Sequence, residues 1–145
     1  MTKKIYLVIT SINNVSKILK KISHYCKKYQ VNFIIVGDKK GPNNKNFNLN
    51  NVSYFDLSEQ KKLKLNFEKI CPKNSYSRKN IGYLLAMRGN SDVIIDSDDD
   101  NIPGKNFFLN FSEKQKFLKL HDKGWVNIYK YFDKKKKIIW PRGFP

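Results

Sequence analysis

Ile5-Tyr6-Leu7-Val8-Ile9-Thr10 and Val31-Asn32-Phe33-Ile34-Ile35-Val36 are short, nearly continuous apolar runs rich in β-branched and aromatic residues. Strands of this kind are buried on both faces, as in a parallel sheet covered by helices; a half-exposed strand would alternate apolar with polar. Between the two runs, after Asn13-Asn14, apolar residues fall at Val15, Ile18, Leu19, Ile22, Cys26 and Tyr29, the spacing of one helical face, and lysines take the opposite face. Strand, helix and strand joined by short connections form a βαβ unit. The expected fold class is therefore α/β, a mainly parallel sheet flanked by helices.

The rest of the chain continues that pattern. The second run stops at Gly37-Asp38, and the Asn-, Lys- and Gly-rich stretch from Lys39 to Asn51, with Gly41-Pro42 as a turn, reads as a surface loop. Val52 to Leu57 is a third, weaker strand, and Leu63, Phe67 and Ile70 suggest a short helix over Ser58 to Ile70. A better helix runs from Ser77 to Arg88 and ends at Gly89-Asn90, followed by a strand at Val93-Ile94-Ile95. Beyond Pro103, Asn106 to Leu120 reads as a helix, and Trp125 to Phe132 and Lys137 to Trp140 read as strands. No repeat or linker interrupts residues 1–145, and a single domain is expected.

The formal charge of +17 favours polyanionic partners such as nucleic acid or an anionic membrane surface. Against this, 26 of the 29 basic residues are Lys, and only Arg78, Arg88 and Arg142 carry the guanidinium that forks onto guanine or phosphate. The accompanying wealth of Asn and Ile is the bias that an AT-rich genome imposes on most proteins. No specific nucleic-acid partner is expected, although peripheral membrane contact stays open. Cys26 and Cys71 stand far apart without a CxxC pairing and read as reduced thiols. The apolar run at Ile5 to Ile12 is short and lacks a small-residue cleavage site, so a buried strand explains it better than a signal peptide. No stretch approaches the roughly 18 to 20 apolar residues that span a bilayer, which makes a cytoplasmic protein the default expectation.

The strongest chemical feature is Val93-Ile94-Ile95-Asp96-Ser97-Asp98-Asp99-Asp100-Asn101, four carboxylates in five residues at the end of a buried strand. Like charges so close raise one another's pKa or demand a cation, and hard oxygen ligands suit Mg²⁺, Mn²⁺ or Ca²⁺. A calcium EF-hand starting at Asp96 would need Gly and Glu where Asn101 and Phe107 stand, and fails. A phosphatase with Asp96 as nucleophile would also place DxD after a strand, but such enzymes usually carry Thr or Val where this chain has Asp100. A DxD site, whose carboxylates hold a divalent ion on a sugar diphosphate, also accounts for the residues that precede the cluster. There, Ser77 could cap a helix whose first turn carries Arg78 and Lys79, cations that the macrodipole disfavours by about 0.3–1 kcal/mol each. Breaches of a local rule tend to mark functional sites, here an anion pocket at a helix start.

Tyr76-Ser77-Arg78-Lys79-Asn80-Ile81-Gly82-Tyr83-Leu84-Leu85-Ala86, followed by Asp98-Asp99-Asp100-Asn101 and Pro103, resembles the STELLO-like glycosyltransferase family, whose members carry an RKNIGYLxA segment shortly before DDDN. Val36-Gly37-Asp38-Lys39-Lys40-Gly41-Pro42 is similar to the family's GDKKTP-type turn, with Gly41 in the place of Thr. Asn127-Ile128-Tyr129 and Ile139-Trp140-Pro141-Arg142-Gly143-Phe144-Pro145 are similar to its NxYxxF and WPRGFP segments. The resemblance implies a GT-A type fold with a Rossmann-like half that binds a nucleotide-sugar donor, and transfer of the sugar, from a UDP-sugar by this analogy, to an unidentified hydroxyl acceptor. By the same analogy Thr10 and Asp38 would touch the base or ribose, and Arg78 and Lys79 the base or diphosphate. Asp98 and Asp100 would be the DxD pair on Mn²⁺ or Mg²⁺; Asp98 would also meet the donor, and Asp96 and Asp99 would support the ligands from behind. Family members continue past WPRGFP, so the chain is expected to be C-terminally incomplete and to lack the acceptor half. Two rival functions stay open: a basic nucleic-acid-binding module and an aspartate-nucleophile phosphatase.

Overall fold

The computed structural model describes residues 3–104, 107–108 and 126–131. Two compact units divide the chain, residues 1–111 and 112–145; the sheet, both cores and the cleft considered below belong to the first. That unit is built on a four-stranded, all-parallel sheet of β1 (Ile5–Thr10), β2 (Asn32–Val36), β3 (Val52–Phe55) and β4 (Val93–Asp96), in the order β3-β2-β1-β4. The register runs Leu7 beside Phe33 on one flank of β1 and Leu7 beside Ile95 on the other. The expectation of a parallel α/β sheet with flanking helices is met.

One face of the sheet is covered by α1 (Lys17–Lys28), whose Leu19, Ile22 and Cys26 pack on Leu7, Ile9, Phe33 and Ile35. Ser16 caps it by accepting from the Leu19 amide at 3.1 Å, and Lys27 and Lys28 sit in its last turn, where cations complement the macrodipole. The opposite face is covered by α4 (Lys79–Arg88), with Ile81 and Ala86 against Val8, Ile34 and Val36. Gly82 lets this helix lie close. A Cβ there would fall 2.5 Å from Val8 Cγ1 and 3.0 Å from Val36 Cγ2.

The Ser58–Ile70 segment forms two short helices where one was expected: α2 (Leu57–Lys62) and α3 (Asn66–Ile70). Lys64 between them takes a φ of 53°, which interrupts the helical hydrogen bonds. Asp56 caps α2 by accepting from the Ser58 and Glu59 amides. Leu63, Leu65 and Phe67 join the core under α4.

Past Pro103, most of the expected helix over Asn106 to Leu120 and the whole expected strand over Lys137 to Trp140 lie outside the described residues. In the second unit, Ile128–Tyr131 is a turn of 3₁₀ helix, which corrects the strand read over Trp125 to Phe132. Both cysteines are free and buried. Among the described residues, no helix is long and apolar enough to cross a membrane.

Candidate donor-binding cleft

After β1 the chain moves outward through β2 and β3, then returns to place β4 on the other side of β1. The order therefore reverses between β1 and β4, and in open α/β sheets ligands bind outside the carboxyl ends of the strands at such a point. A cleft of about 420 Å³ opens there. It is lined by residues that leave β1 (Thr10 to Asn13), β2 (Val36 to Asp38 and Lys40) and β4 (Asp98 to Asp100), and by the turn from Asn74 to Tyr76 with Arg78.

The β2 side of the cleft is braced from behind. Asp38 accepts from the Ser75 amide at 3.0 Å and from the Lys39 amide at 2.7 Å, which ties the segment before α4 to the end of β2. Ser75, rather than Ser77, caps this segment, a 3₁₀ turn over Tyr76–Arg78, and α4 begins only at Lys79. Arg78 borders the cleft but is 1 % exposed, and its guanidinium faces protein groups. Its Nε donates to Gln60 Oε1 at 2.9 Å, Nη1 to the Cys71 and Pro72 carbonyls, and Nη2 pairs with Glu68 at 3.2 Å. Gln60 Nε2 in turn donates to the carbonyls of Gly37 and Phe55, both at 2.7 Å. The expectation of Arg78 as a cation free for a ligand is thereby corrected. A buried guanidinium is tolerable only when its forked donors are satisfied, and this one is spent on a strut behind the ends of β2 and β3.

Lys79, the next residue, has the opposite fate. Its Nζ donates to Asp96 Oδ1 at 2.7 Å, to Asp98 Oδ1 at 2.9 Å and to the Ser97 carbonyl at 3.0 Å. One turn along α4, Tyr83 donates to Asp96 Oδ2 at 2.8 Å. Partial burial works against the Lys79 ammonium, but the hydrogen bonds to Asp96 and Asp98 prevail and raise its pKa. Burial likewise works against the Asp96 carboxylate, and the bonds from Lys79 and Tyr83 prevail and lower its pKa. The Tyr83 phenol is pushed up to about 12, by burial first and then by its bond to Asp96.

β4 ends at Asp96, and the chain turns so that the Asn101 amide reaches the Asp98 carbonyl at 3.3 Å. Strand alternation no longer applies, and Asp98, Asp99 and Asp100 all line the cleft. Ser11 Oγ and Asn13 Nδ2 both donate to Asp99 Oδ2, joining the loops that leave β1 and β4.

No family model matches the chain. It is similar to a protein described as "Probable glycosyltransferase STELLO2" from Arabidopsis thaliana, at 28% identity over 132 residues. The match covers 82% of this chain and 16% of the STELLO2 protein, so the chain spans about a sixth of that relative's length.

Of the residues singled out from sequence, Thr10, Asp38, Arg78, Asp98, Asp99 and Asp100 line the one cleft, whereas Lys79 and Asp96 stand beside it, linked to Asp98 through the ammonium. Sequence reasoning missed Ser11, Asn13, Ser75, Tyr76 and Gln60. Ser11 and Asn13 had a clue in their place just after a strand end, and Tyr76 in its place at the head of the Tyr76–Ala86 segment.

The STELLO-like resemblance implies a divalent metal. Among the described residues no three His, Cys, Asp or Glu side chains converge as a ready cage. Asp98 and Asp100 nevertheless border the same open cleft with exposed carboxylates. Mg²⁺ and similar hard ions are commonly held by one or two carboxylates, with water and substrate phosphates completing the shell. With Asp98 Oδ1 taken by Lys79, the other Asp98 oxygen and the Asp100 carboxylate are the groups that fit an ion bound in that way.

Proposed function

We propose that this chain supplies the nucleotide-sugar-binding part of a GT-A type glycosyltransferase, transferring a sugar from a nucleoside diphosphate donor, taken as UDP, to a hydroxyl acceptor. The observation that carries the reading is the convergence of Asp38, Thr10 and the Asp98–Asp100 turn on one cleft at the reversal of strand order. The likeness to a probable glycosyltransferase over most of the chain supports it.

Thr10 and Asp38 offer a hydroxyl and a carboxylate to the base or ribose. Asp98 and Asp100 would hold Mn²⁺ or Mg²⁺ against the donor's phosphates, and a bound divalent ion supplies charge neutralisation on the departing diphosphate. Lys79 keeps a positive charge beside Asp98, where it orients that carboxylate and favours an anionic ligand. Arg78 acts through the framework, holding the Gln60 contact to the Gly37 carbonyl, next to Asp38. Asp96 and Asp99 orient their neighbours, Asp96 through Lys79 and Asp99 through Ser11 and Asn13.

The rival readings have less support. Asp96 as a phosphatase nucleophile would need an accessible carboxylate oxygen in the cleft, yet it lies outside the lining and is bound by Lys79 and Tyr83. Exposed lysines occupy separate elements, the outer face of α1, the loop after β2 and α2. That dispersal does not favour a nucleic-acid groove.

Calorimetric titration with UDP, with and without Mn²⁺, tests the proposal. Binding that requires Mn²⁺ and is abolished by Asp100→Ala is expected. Equal nucleotide affinity in wild type and Asp100→Ala, with Mn²⁺ present, would sink the donor-site assignment.

A further inference from the structure

Tyr76 is the most exposed of the large apolar and aromatic side chains among the described residues, at 84 %, and it borders the cleft. An aromatic ring left in water forgoes about 25 cal/mol for each Å² it could bury, so its position calls for an explanation. A loose loop does not provide one. The Ser75 amide is tied to Asp38, Ser75 Oγ and Ser77 Oγ lie 2.8 Å apart, and the Arg78 amide donates to the Ser75 carbonyl at 3.1 Å. Two residues on, the Arg78 guanidinium is locked into the buried strut. The backbone that presents the ring is thus held on both sides.

A second exposed apolar residue, Ile12 at 47 %, borders the same cleft from the loop after β1. The cleft therefore carries two chemistries: the exposed apolar side chains Tyr76 and Ile12, from the turn before α4 and the loop after β1, and the carboxylates, three from the end of β4 with Asp38 from the end of β2. A nucleoside diphosphate is divided in the same way, into a flat apolar base and a charged diphosphate.

Resting on the donor-site reading above, we propose that Tyr76 is the stacking platform for the nucleobase, with Ile12 as a second apolar contact. Asp38, which pins the Tyr76 turn through Ser75, then links base recognition to the end of β2. Stacking on an aromatic ring tolerates any base, because every base has a π-face. Base preference would come from Asp38 and Thr10, while Tyr76 supplies affinity.

The test compares UDP with inorganic pyrophosphate, each titrated with Mn²⁺ into wild type, Tyr76→Ala and Tyr76→Phe. Loss of one stacked base corresponds to roughly 5- to 150-fold in affinity. Tyr76→Ala should weaken UDP within that range and leave pyrophosphate unchanged, and Tyr76→Phe should retain wild-type binding of both. Wild type and Tyr76→Ala binding UDP equally would overturn the stacking role and leave the donor-site reading standing. Parallel losses for UDP and pyrophosphate would also overturn it, since they would mean that the substitution distorts the turn. A wild type that binds neither ligand would overturn the donor-site reading, and the stacking role with it.

Discussion

α1 and α4 cover opposite faces of the same sheet, yet they are built by different rules. α1 obeys each local preference: a serine cap, an apolar stripe toward the sheet, lysines outward and cations in its last turn. α4 starts with no side-chain cap, carries Lys79 where the macrodipole disfavours a cation, and has Gly82 in its middle. Each departure meets a need of the cleft. Lys79 reaches the carboxylates at the end of β4, Gly82 brings the helix down onto β1 and β2, and the preceding 3₁₀ turn delivers Arg78 to its strut. A helix that satisfies all its local rules is a scaffold; one that breaks several is being used by something distant in sequence.

The comparison can be broken most directly at the cores. Leu19 of α1 is fully buried against the sheet, and Leu19→Ala should lower the unfolding free energy by about 2–5 kcal/mol. Urea denaturation would measure it, and nucleotide binding by the folded fraction should be unchanged, because α1 does not border the cleft.

Gly82→Ala in α4 should have a smaller effect, about 1–3 kcal/mol from overpacking, against at most about 1 kcal/mol gained in helix propensity. The net sign is destabilising, since the added methyl meets Val8, which is buried, β-branched and unable to move aside. If this variant proves more stable in urea, the close approach of α4 is not a constraint and the contrast with α1 weakens.

The smallest effect expected is on pH dependence. Asp96 has a folded pKa below its ordinary 3.8, so its contribution is present above that value and lost as the pH falls further. Lys79 has a folded pKa above its ordinary 10.5, so its contribution holds below that value and disappears as the pH rises past it. Lys79→Met should therefore flatten the wild-type losses of thermal stability both below pH 3.8 and above pH 10.5. Identical pH profiles would mean that the Lys79–Asp96 pair contributes nothing to folding.

The sequence by itself determined the order of strands and helices from β1 to β4, though not the break at Lys64 that divides one expected helix into α2 and α3. Runs such as Ile5 to Thr10 and the stripe Leu19, Ile22, Cys26 are periodic, and period reports which neighbours along the chain share a face. It also revealed the carboxylate cluster, because four acids in five residues are conspicuous without any fold. Only the tertiary structure decided what those residues face. Arg78 and Lys79 are adjacent and chemically alike, yet one is taken by Gln60, 18 residues away, and the other by Asp96, 17 residues away. Asp99 is held by Ser11 across 88 residues, and Tyr76 borders the cleft next to Ser75, whose amide is anchored by Asp38, 37 residues before it. Local spacing cannot encode such pairings. They follow from the strand order, in which β4 pairs with β1 at the edge of the sheet with Ile94 and Ile95 half-buried against its two faces, an arrangement made by the whole core and not by the letters around Asp96.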